Sequence, residues 1–338
     1  MRRAVDEHVT SSRTLHVIEP GMLSSVQDLG RRDAGWMGIS PCGAADWYSA
    51  RAANRLVGND DDTPLIETTL SGTSFKLTGD AVVAVTGADA PVAVGERVCE
   101  PWSAHGATSG SLVVVGAARR GVRSYIAING GVRVPEYFGS ASTDTTSGFG
   151  GHVLRRSDEL KLGEPASRLA ARKGSGASRL RLPTDAVLRV LPGLDDRLTP
   201  TLLARTYVVS ARSSRQALML DGDRLGSAPA DAVSFGVTAG CVQIASDGTP
   251  MVLLVEHQTT GGYAVAACVI YADLPIAAQL RAGARVRFSM VGVDEAEAAL
   301  AERVNALSGS APQTDHVEAS DDGLADRLIR GFFEGVEG

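Results

Sequence analysis

Short apolar runs bounded by glycine, proline or aspartate recur along this chain far more often than helical periodicities. Val82–Val85, Leu112–Val115, Ser124–Ile128, Val187–Leu191, Tyr207–Ser210, Met251–Val255, Val265–Ile270 and Arg285–Phe288 are of this kind. Brief segments rich in Val and Ile are strand-like, so the pattern predicts a mainly β fold. Two stretches instead carry helical spacing. One runs from Asp46 to Val57, with the aspartate as its cap; the other runs from Asp294 to Leu307, an Ala/Glu-rich stretch closed by Ser308-Gly309. Both helices are expected at the periphery of the sheets. On the first, Trp47, Ala50, Asn54 and Val57 share a face, so the Asn54 amide must find a partner on the apolar side.

Between Glu164 and Pro183 the composition shifts to Ala, Arg, Gly and Ser without apolar periodicity, which reads as a domain boundary. Two domains are expected, 15–165 and 184–292, followed by a helical or flexible tail over 293–338. That tail is polar and acidic through Asp322, then weakly amphipathic from Leu324 to Phe333.

Composition narrows the class. The chain has 338 residues, 44% hydrophobic and 21% charged, and no apolar run approaches the ~20 residues that would span a bilayer. Residues Met1 to Ile18 contain no signal-like apolar core, so a cytoplasmic location is expected. Cys42, Cys99, Cys241 and Cys268 form no Cys-x-x-Cys pair, which predicts reduced thiols and no metal site. The net charge of −6 and the scattered arginines argue against nucleic acid as a partner.

Several chemistries lack their motifs. No Gly-x-x-x-x-Gly-Lys-Ser/Thr loop is present, and none of the three lysines, Lys76, Lys161 and Lys173, adjoins a methionine as a biotinylated lysine would. A Gly-x-Ser-x-Gly elbow, a His-Glu-x-x-His helix and a dinucleotide fingerprint are also missing.

Gln258-Thr259-Thr260-Gly261-Gly262-Tyr263 places an amide, two hydroxyls and a phenol around a glycine pair. Neutral donors and acceptors of this kind suit an amide or lactam, although a tight turn held by Thr hydroxyls would give the same sequence. Asp46 either caps its helix or touches substrate. Gln27-Asp28 and Glu67 either hold a loop or line a cleft. Gly139 to Asp144 reads equally as a hydroxyl-rich nest or an Asx turn. His257, beside Gln258, is either a cationic contact or a neutral ring.

A series of separated segments occurs in a specific order. Pro20-Gly21-Met22-Leu23-Ser24-Ser25-Val26-Gln27-Asp28-Leu29-Gly30-Arg31 is followed by Gly43-Ala44-Ala45-Asp46, Ala53-Asn54-Arg55-Leu56-Val57-Gly58-Asn59, Glu67, Thr86-Gly87-Ala88-Asp89, Asn129-Gly130-Gly131 and Gly139 to Asp144. Leu191-Pro192-Gly193, Gln243, Gln258 to Tyr263, Ala272-Asp273-Leu274 and Gln279 to Gly283 complete it. In these segments the chain resembles the family of the second subunit of bacterial allophanate hydrolase and the C component of 5-oxoprolinase, related to the carboxyltransferase domain of urea carboxylase. The resemblance covers residues 15–290.

The resemblance implies two cyclophilin-like β-barrel domains with a few peripheral helices. It implies a subunit of an ATP-dependent amidohydrolase complex, like the C component of 5-oxoprolinase, that is inactive alone and acts on a small amide or lactam. The expected partner is a kinase-inhibitor-like subunit, of the type of the first allophanate hydrolase subunit or the B component of 5-oxoprolinase, joined by a lactam-hydrolase subunit. ATP would be used by the assembled complex, and carboxybiotin only if the assembly is a carboxylase. The alternatives are a carboxyltransferase component acting on urea or an amide, and a non-catalytic antagonist that binds a kinase-inhibitor-like protein. Carried onto this sequence, the catalytic set is Gln258, Thr260 and Tyr263; the substrate-binding set is Asp28, Asp46, Glu67, Asn129, Asp144, Arg215, Gln243, His257 and Thr259.

The chain departs from the family's pattern in its second half. Ser213-Ser214-Arg215-Gln216-Ala217-Leu218-Met219-Leu220 stands where relatives read Ser-Asp-Arg-Met-Gly-Tyr-Arg-Leu, Phe235 stands for Glu, and His257 for Arg. Loss of two guanidiniums and their countercharges predicts weak binding of an anionic substrate, and hence a less polar ligand or a mainly partner-binding role.

Overall fold

In the computed structural model, residues 13–165, 177–195, 197–226 and 233–308 are described. The first half contains two sheets. One is seven-stranded, in the order Val132–Arg133, Glu159–Leu162, Thr14–Glu19, Thr73–Thr78, Leu112–Val115, Val92–Val94 and Arg97–Cys99. The other is five-stranded, in the order Leu23–Gln27, Leu65–Thr69, Arg120–Ile128, Ala81–Asp89 and Ala104–Ala107. Both contribute to one core, with Leu15, Phe75 and Val113 from the first meeting Val83, Ile126 and Ile128 from the second.

The central strands Ala81–Asp89 and Arg120–Ile128 are buried along most of their length because both faces are covered. Val83, Val85, Ile126 and Ile128 enter the core between the sheets. Ala84, Tyr125 and Ala127 point to the opposite face, where helix α1 (Trp47–Leu56) packs with Ala50 and Ala53. Two covered faces explain why these strands read as continuous apolar runs rather than alternations.

The second half closes into a barrel of Asp185–Pro192, Ala264–Val269, Cys241–Ile244, Pro250–Leu253, Ala217–Asp221, Tyr207–Val209 and Arg285–Met290. Closure comes from a parallel pairing of the first and last of these strands, with Asp185 opposite Arg285 and Val190 opposite Met290. Leu188, Val190, Leu220, Val242, Val252 and Phe288 fill the interior. A register shift between Val242 and Gln243 marks a bulge against the strand Ala264–Val269, turning both Ala266 and Ala267 inward while Gln243 faces outward. Short helices α2 (Thr199–Leu203) and α3 (Leu274–Ala278) add Leu202, Leu274 and Ala277 to the barrel's core, and α4 (Val293–Ala306) follows it in the chain.

The helices are less peripheral than expected. α1 lies outside the core of its own sheets but is covered by the second half: Trp47, Tyr48 and Ala52 pack with Ala177, Leu180 and Leu307, and with Leu300 of α4. The start of the segment expected as a tail is therefore a packed helix, while 309–338, including Leu324 to Phe333, lie outside the described residues. Asp294 does not cap α4. Gly292 occupies that position, and Asp294 sits in the first turn, where its charge favours the helix dipole. The proposed boundary also falls partly outside the described residues, which omit 166–176.

Candidate functional site

Where the halves meet, four charged side chains are buried together. Glu67, on the strand Leu65–Thr69, pairs with Arg215 and lies 3.6 Å from Arg123. Arg215 Nε donates to Glu256 Oε1 at 2.5 Å, and its Nη2 donates to the Gly43 carbonyl at 2.7 Å. Ala45 N–H donates to Glu67 Oε2 at 3.0 Å, and Thr145 donates to both Glu256 oxygens, at 3.0 Å through its N–H and 2.7 Å through its hydroxyl. Two carboxylates and two guanidiniums cancel in charge, which makes their burial tolerable. Burial by itself would raise the Glu67 pKa; Arg215 and then Arg123 more than offset it and hold the carboxyl below its ordinary range.

Asp46 caps α1, accepting from Ser49 N–H at 2.9 Å and the Ser49 hydroxyl at 2.6 Å. Complete burial pushes its pKa up to about 6, only partly countered by hydrogen bonds from Ser49 and Gln279. Gln279, at the end of α3, fastens the halves. Its Oε1 accepts from Val122 and Arg123 N–H, and its Nε2 donates to the Arg123 carbonyl and to Asp46 Oδ2.

The structure thus brings Asp46, Glu67 and Arg215 together, with their polar atoms committed to joining the halves. Asp28 and Asn129 are committed elsewhere. Asp28 receives Ser140 and Ser142 hydroxyls and the Gly30 and Ala141 N–H groups, pinning the Gly139–Asp144 segment. Asn129 Oδ1 accepts from Arg13 and from Val82 N–H. Asp144 Oδ1 closes an Asx turn onto Thr146 and Ser147 N–H.

The turn from Val255 to Gln258 links this network to two candidate ligand surfaces. Its Val255 carbonyl accepts from Cys42 N–H at 3.0 Å, and Glu256 belongs to the network. The next residue, His257, lines a cavity of about 530 Å³ between the halves, shared with Cys42, Trp47, Arg51, Thr238 and Tyr271 and walled by α4. His257 Nδ1 lies 2.6 Å from the Gln258 carbonyl. A carbonyl oxygen only accepts, so Nδ1 carries the proton and Nε2 is left as an acceptor. Burial lowers the His257 pKa, which keeps the ring neutral near pH 7. Burial thus favours the neutral-ring alternative, and the hydrogen bond to the Gln258 carbonyl only partly opposes it.

Cys42 has a left-handed backbone, with φ of 54°, and its thiol lies with the Asp144 and Glu256 carboxylates within 4.8 Å. Burial pushes that thiol up to about 11 despite a hydrogen bond from Ser40, so it is protonated and not a nucleophile at neutral pH. Both Glu256 oxygens already serve Arg215 and Thr145, which argues against a cation at this trio.

On the other side of the turn, Gln258 Nε2 donates to Gln243 Oε1 at 3.0 Å. Gln243 is fully buried, and its own Nε2 has no hydrogen-bond partner among the described residues. A two-stranded ribbon, Phe235–Gly236 with Thr260–Gly261, lies over this barrel face. A Cβ at Gly261 would sit 2.9 Å from Gln243 Nε2 and 3.3 Å from Gln258 Nε2, so only glycine permits this approach. Thr260 and Tyr263 are exposed at the rim, and the Thr259 carbonyl accepts from Val237 N–H. The departures Met219 and Phe235 share one apolar cluster with Val237, Met251 and Leu253 on this face. An expected Arg and Glu are thus replaced jointly by apolar partners.

Sequence reasoning missed Glu256, Arg123 and Cys42. Glu256 adjoins His257-Gln258, and Cys42 immediately precedes the Gly43–Asp46 segment, so proximity to motifs was an available signal. Arg123 stands in an ordinary strand and offered none.

Comparison with known proteins agrees with this architecture. The carboxyltransferase domain, subdomains A and B, matches residues 37–290. The chain is 33% identical over 291 residues to the C component of 5-oxoprolinase from Escherichia coli (strain K12), covering 83% of this chain and 93% of that protein. The crystal structure of TTHA0988 superposes with a TM-score of 0.76 at 31% identity, over 82% of this chain and 56% of that one. Kluyveromyces lactis urea carboxylase gives a TM-score of 0.79 at 26% identity, over 92% of this chain and 30% of the larger protein.

Proposed function

Since the chain belongs to the family of carboxyltransferase domains built from subdomains A and B, we propose that it is a subunit of an ATP-dependent amidohydrolase complex of the 5-oxoprolinase type. The Gln243–Gln258 pair carries this reading. A buried amide donor with no partner among the described residues matches a carbonyl oxygen and adds no net charge to the site. In this reading Gln258 orients the amide, Thr260 contacts it from the rim, and Tyr263 closes over it.

ATP activation belongs to the assembled complex. The cavity between the halves is lined mainly by apolar side chains with Arg32 and Arg51 as its cations, which suits a small ring better than a triphosphate. The partner is a kinase-inhibitor-like subunit, with a lactam-hydrolase subunit completing the assembly, and the chain alone turns over neither ATP nor 5-oxoproline. A carboxyltransferase role with carboxybiotin is the second reading, favoured by the similarity to urea carboxylase along 92% of this chain.

Reconstitution with 5-oxoprolinase partner subunits tests the proposal. Gln258→Ala and Tyr263→Phe should each lower turnover about 10-fold or more at unchanged melting temperature. A lowered melting temperature with normal turnover would reduce the segment to a structural turn. Assembly without turnover by the wild-type chain would favour the partner-binding antagonist.

A further inference from the structure

Two thiols face each other on the outer surface of the second-half barrel. Cys241, on the strand Cys241–Ile244, is the register partner of Cys268, on the strand Ala264–Val269, and their sulfurs lie 3.7 Å apart. Val269 N–H donates to the Gly240 carbonyl at 2.8 Å, one residue beyond each cysteine, so the two form a non-hydrogen-bonded antiparallel pair. Pairs of this kind bring their Cα atoms to about 4.5 Å, inside the range of ~4.4–6.8 Å that a disulfide spans. The bulge decides which way Cys268 faces. Because Ala266 and Ala267 both turn inward, Cys268 joins Val265 outside, on the face of Cys241 and Gln243. Strict alternation from Val265 would have sent Cys268 into the barrel.

The surroundings leave the pair to react with itself. Met219, Met251, Phe235 and Val237 share its cluster, the last two from the ribbon and its continuation. Among the described residues no His, Asp or Glu completes a metal-ligand set with the two thiols. Cys241 is buried and Cys268 half-buried, so a small solute reaches one sulfur while bulky ones are kept from the other. The S–H of one thiol donates to the sulfur of its neighbour. That bond holds the first of the pair to ionise below the ordinary thiol range, against the opposing effect of burial, and the second above it. At Cys42 and Cys99 burial is the dominant influence and raises both thiols.

We propose that Cys241 and Cys268 form a modification site, a dithiol that hydrogen peroxide converts to an intramolecular disulfide. One thiolate attacks a peroxide oxygen, breaks the O–O bond and becomes a sulfenic acid, and the released hydroxide takes the proton of the second thiol to leave as water. The second thiolate then attacks the sulfenic sulfur, forming the S–S bond and expelling hydroxide, which takes up the proton lost in the first ionisation. Two thiols and one peroxide give one disulfide and two waters; the sulfurs are oxidised and the peroxide is reduced. The bond ties the strand that carries Gln243 to its neighbour and closes a loop containing Glu256, His257 and Gln258, so oxidation acts beside the amide pair. Neither the assembled complex nor a bound amide is required.

The full chain, completely reduced, is exposed to submillimolar hydrogen peroxide, then unfolded and alkylated, with free thiols counted by mass and disulfides mapped on unreduced peptides. Of the four thiols two should be lost, in a peptide pair joining Cys241 to Cys268, and dithiothreitol should restore both. Cys42 and Cys99 should stay open to alkylation in the unfolded sample. Cys241→Ala and Cys268→Ser should each abolish the cross-link at a melting temperature near that of the wild type. Cys268 is the less buried of the two, so Cys268→Ser carries the test if Cys241→Ala does not fold. The proposal is overturned if all four thiols survive peroxide, if the disulfide joins two chains or includes Cys42 or Cys99, if Cys268 accumulates as a sulfinic acid while Cys241 stays free, or if either folded variant still forms an intramolecular disulfide.

Discussion

On either side of the Val255–Gln258 turn, burial is handled in opposite ways. The Glu67–Arg215–Glu256 cluster buries full charges and supplies nearly every one with an ionic or hydrogen-bonding partner, drawn from both halves. The Gln243–Gln258 pair buries no charge and leaves one amide nitrogen unmatched. A satisfied network fixes two bodies in one arrangement, whereas an unmatched donor is tolerable mainly where a ligand or water completes it. Charge-rich residues at such a junction are thus used up in fastening the halves, whereas the neutral pair beside them keeps a donor unmatched among the described residues.

The largest expected effect breaks the first cluster. Arg215→Met leaves Glu67 and Glu256 buried without their shared cation, a loss of about 3–5 kcal/mol, and thermal unfolding should fall by roughly 10 °C. A shift below about 2 °C would show that water already reaches the network.

Next in size is the pH dependence, where Asp46 and Glu67 act in opposite directions. Asp46 titrates near 6 when folded against an ordinary 3.8, so the folded chain holds that proton more tightly than the unfolded chain. Its contribution is complete below about pH 4 and is lost as pH rises through about 6, by up to about 3 kcal/mol. Glu67 is held below its ordinary range, so its contribution is present above that range and is lost on acidification. Asp46→Asn keeps a capping acceptor. Unfolding free energies measured from pH 4 to 7 should lose the decline attributed to Asp46; an unchanged slope would assign it to another group.

The smallest effect sharpens the neutral side. Phe235→Glu places a carboxylate against Met219 and Met251 and should cost about 1–2 kcal/mol. Adding Met219→Arg should recover at least about 0.5 kcal/mol over the sum of the single changes, because the two positions share one cluster. Strict additivity in denaturant titrations would show that they do not interact.

Much of the fold was legible because its signals are local. Each apolar run named from the sequence falls on an observed strand, although Tyr207–Ser210 and Val265–Ile270 overshoot by one residue and Met251–Val255 by two, into the turn that follows. The amide of Asn54 found partners, with Nδ2 donating to the Thr63 carbonyl at 2.8 Å and Oδ1 accepting from Asn59 at 3.1 Å. Strands such as Thr14–Glu19 and Thr73–Thr78 escaped notice because polar residues interrupt their apolar positions. Of the named site residues, Gln243 and Gln258 meet directly, whereas Asp28 and Asn129 hydrogen-bond to Ser140, Arg13 and Val82 within the first half.

By itself the sequence determined the β character of the chain, the first helix with its Asp46 cap, and the family, since strand runs, caps and ordered motifs depend on residues only a few positions apart. Only the tertiary structure decided that Glu67 and Arg215, 148 positions apart, would neutralise one another. The tautomer of His257 was likewise beyond the sequence, because it is set by which carbonyl lies beside Nδ1. Whether a polar side chain is a fastener or a ligand contact depends on whether its partners arrive from within the chain, and that follows from how the two halves dock.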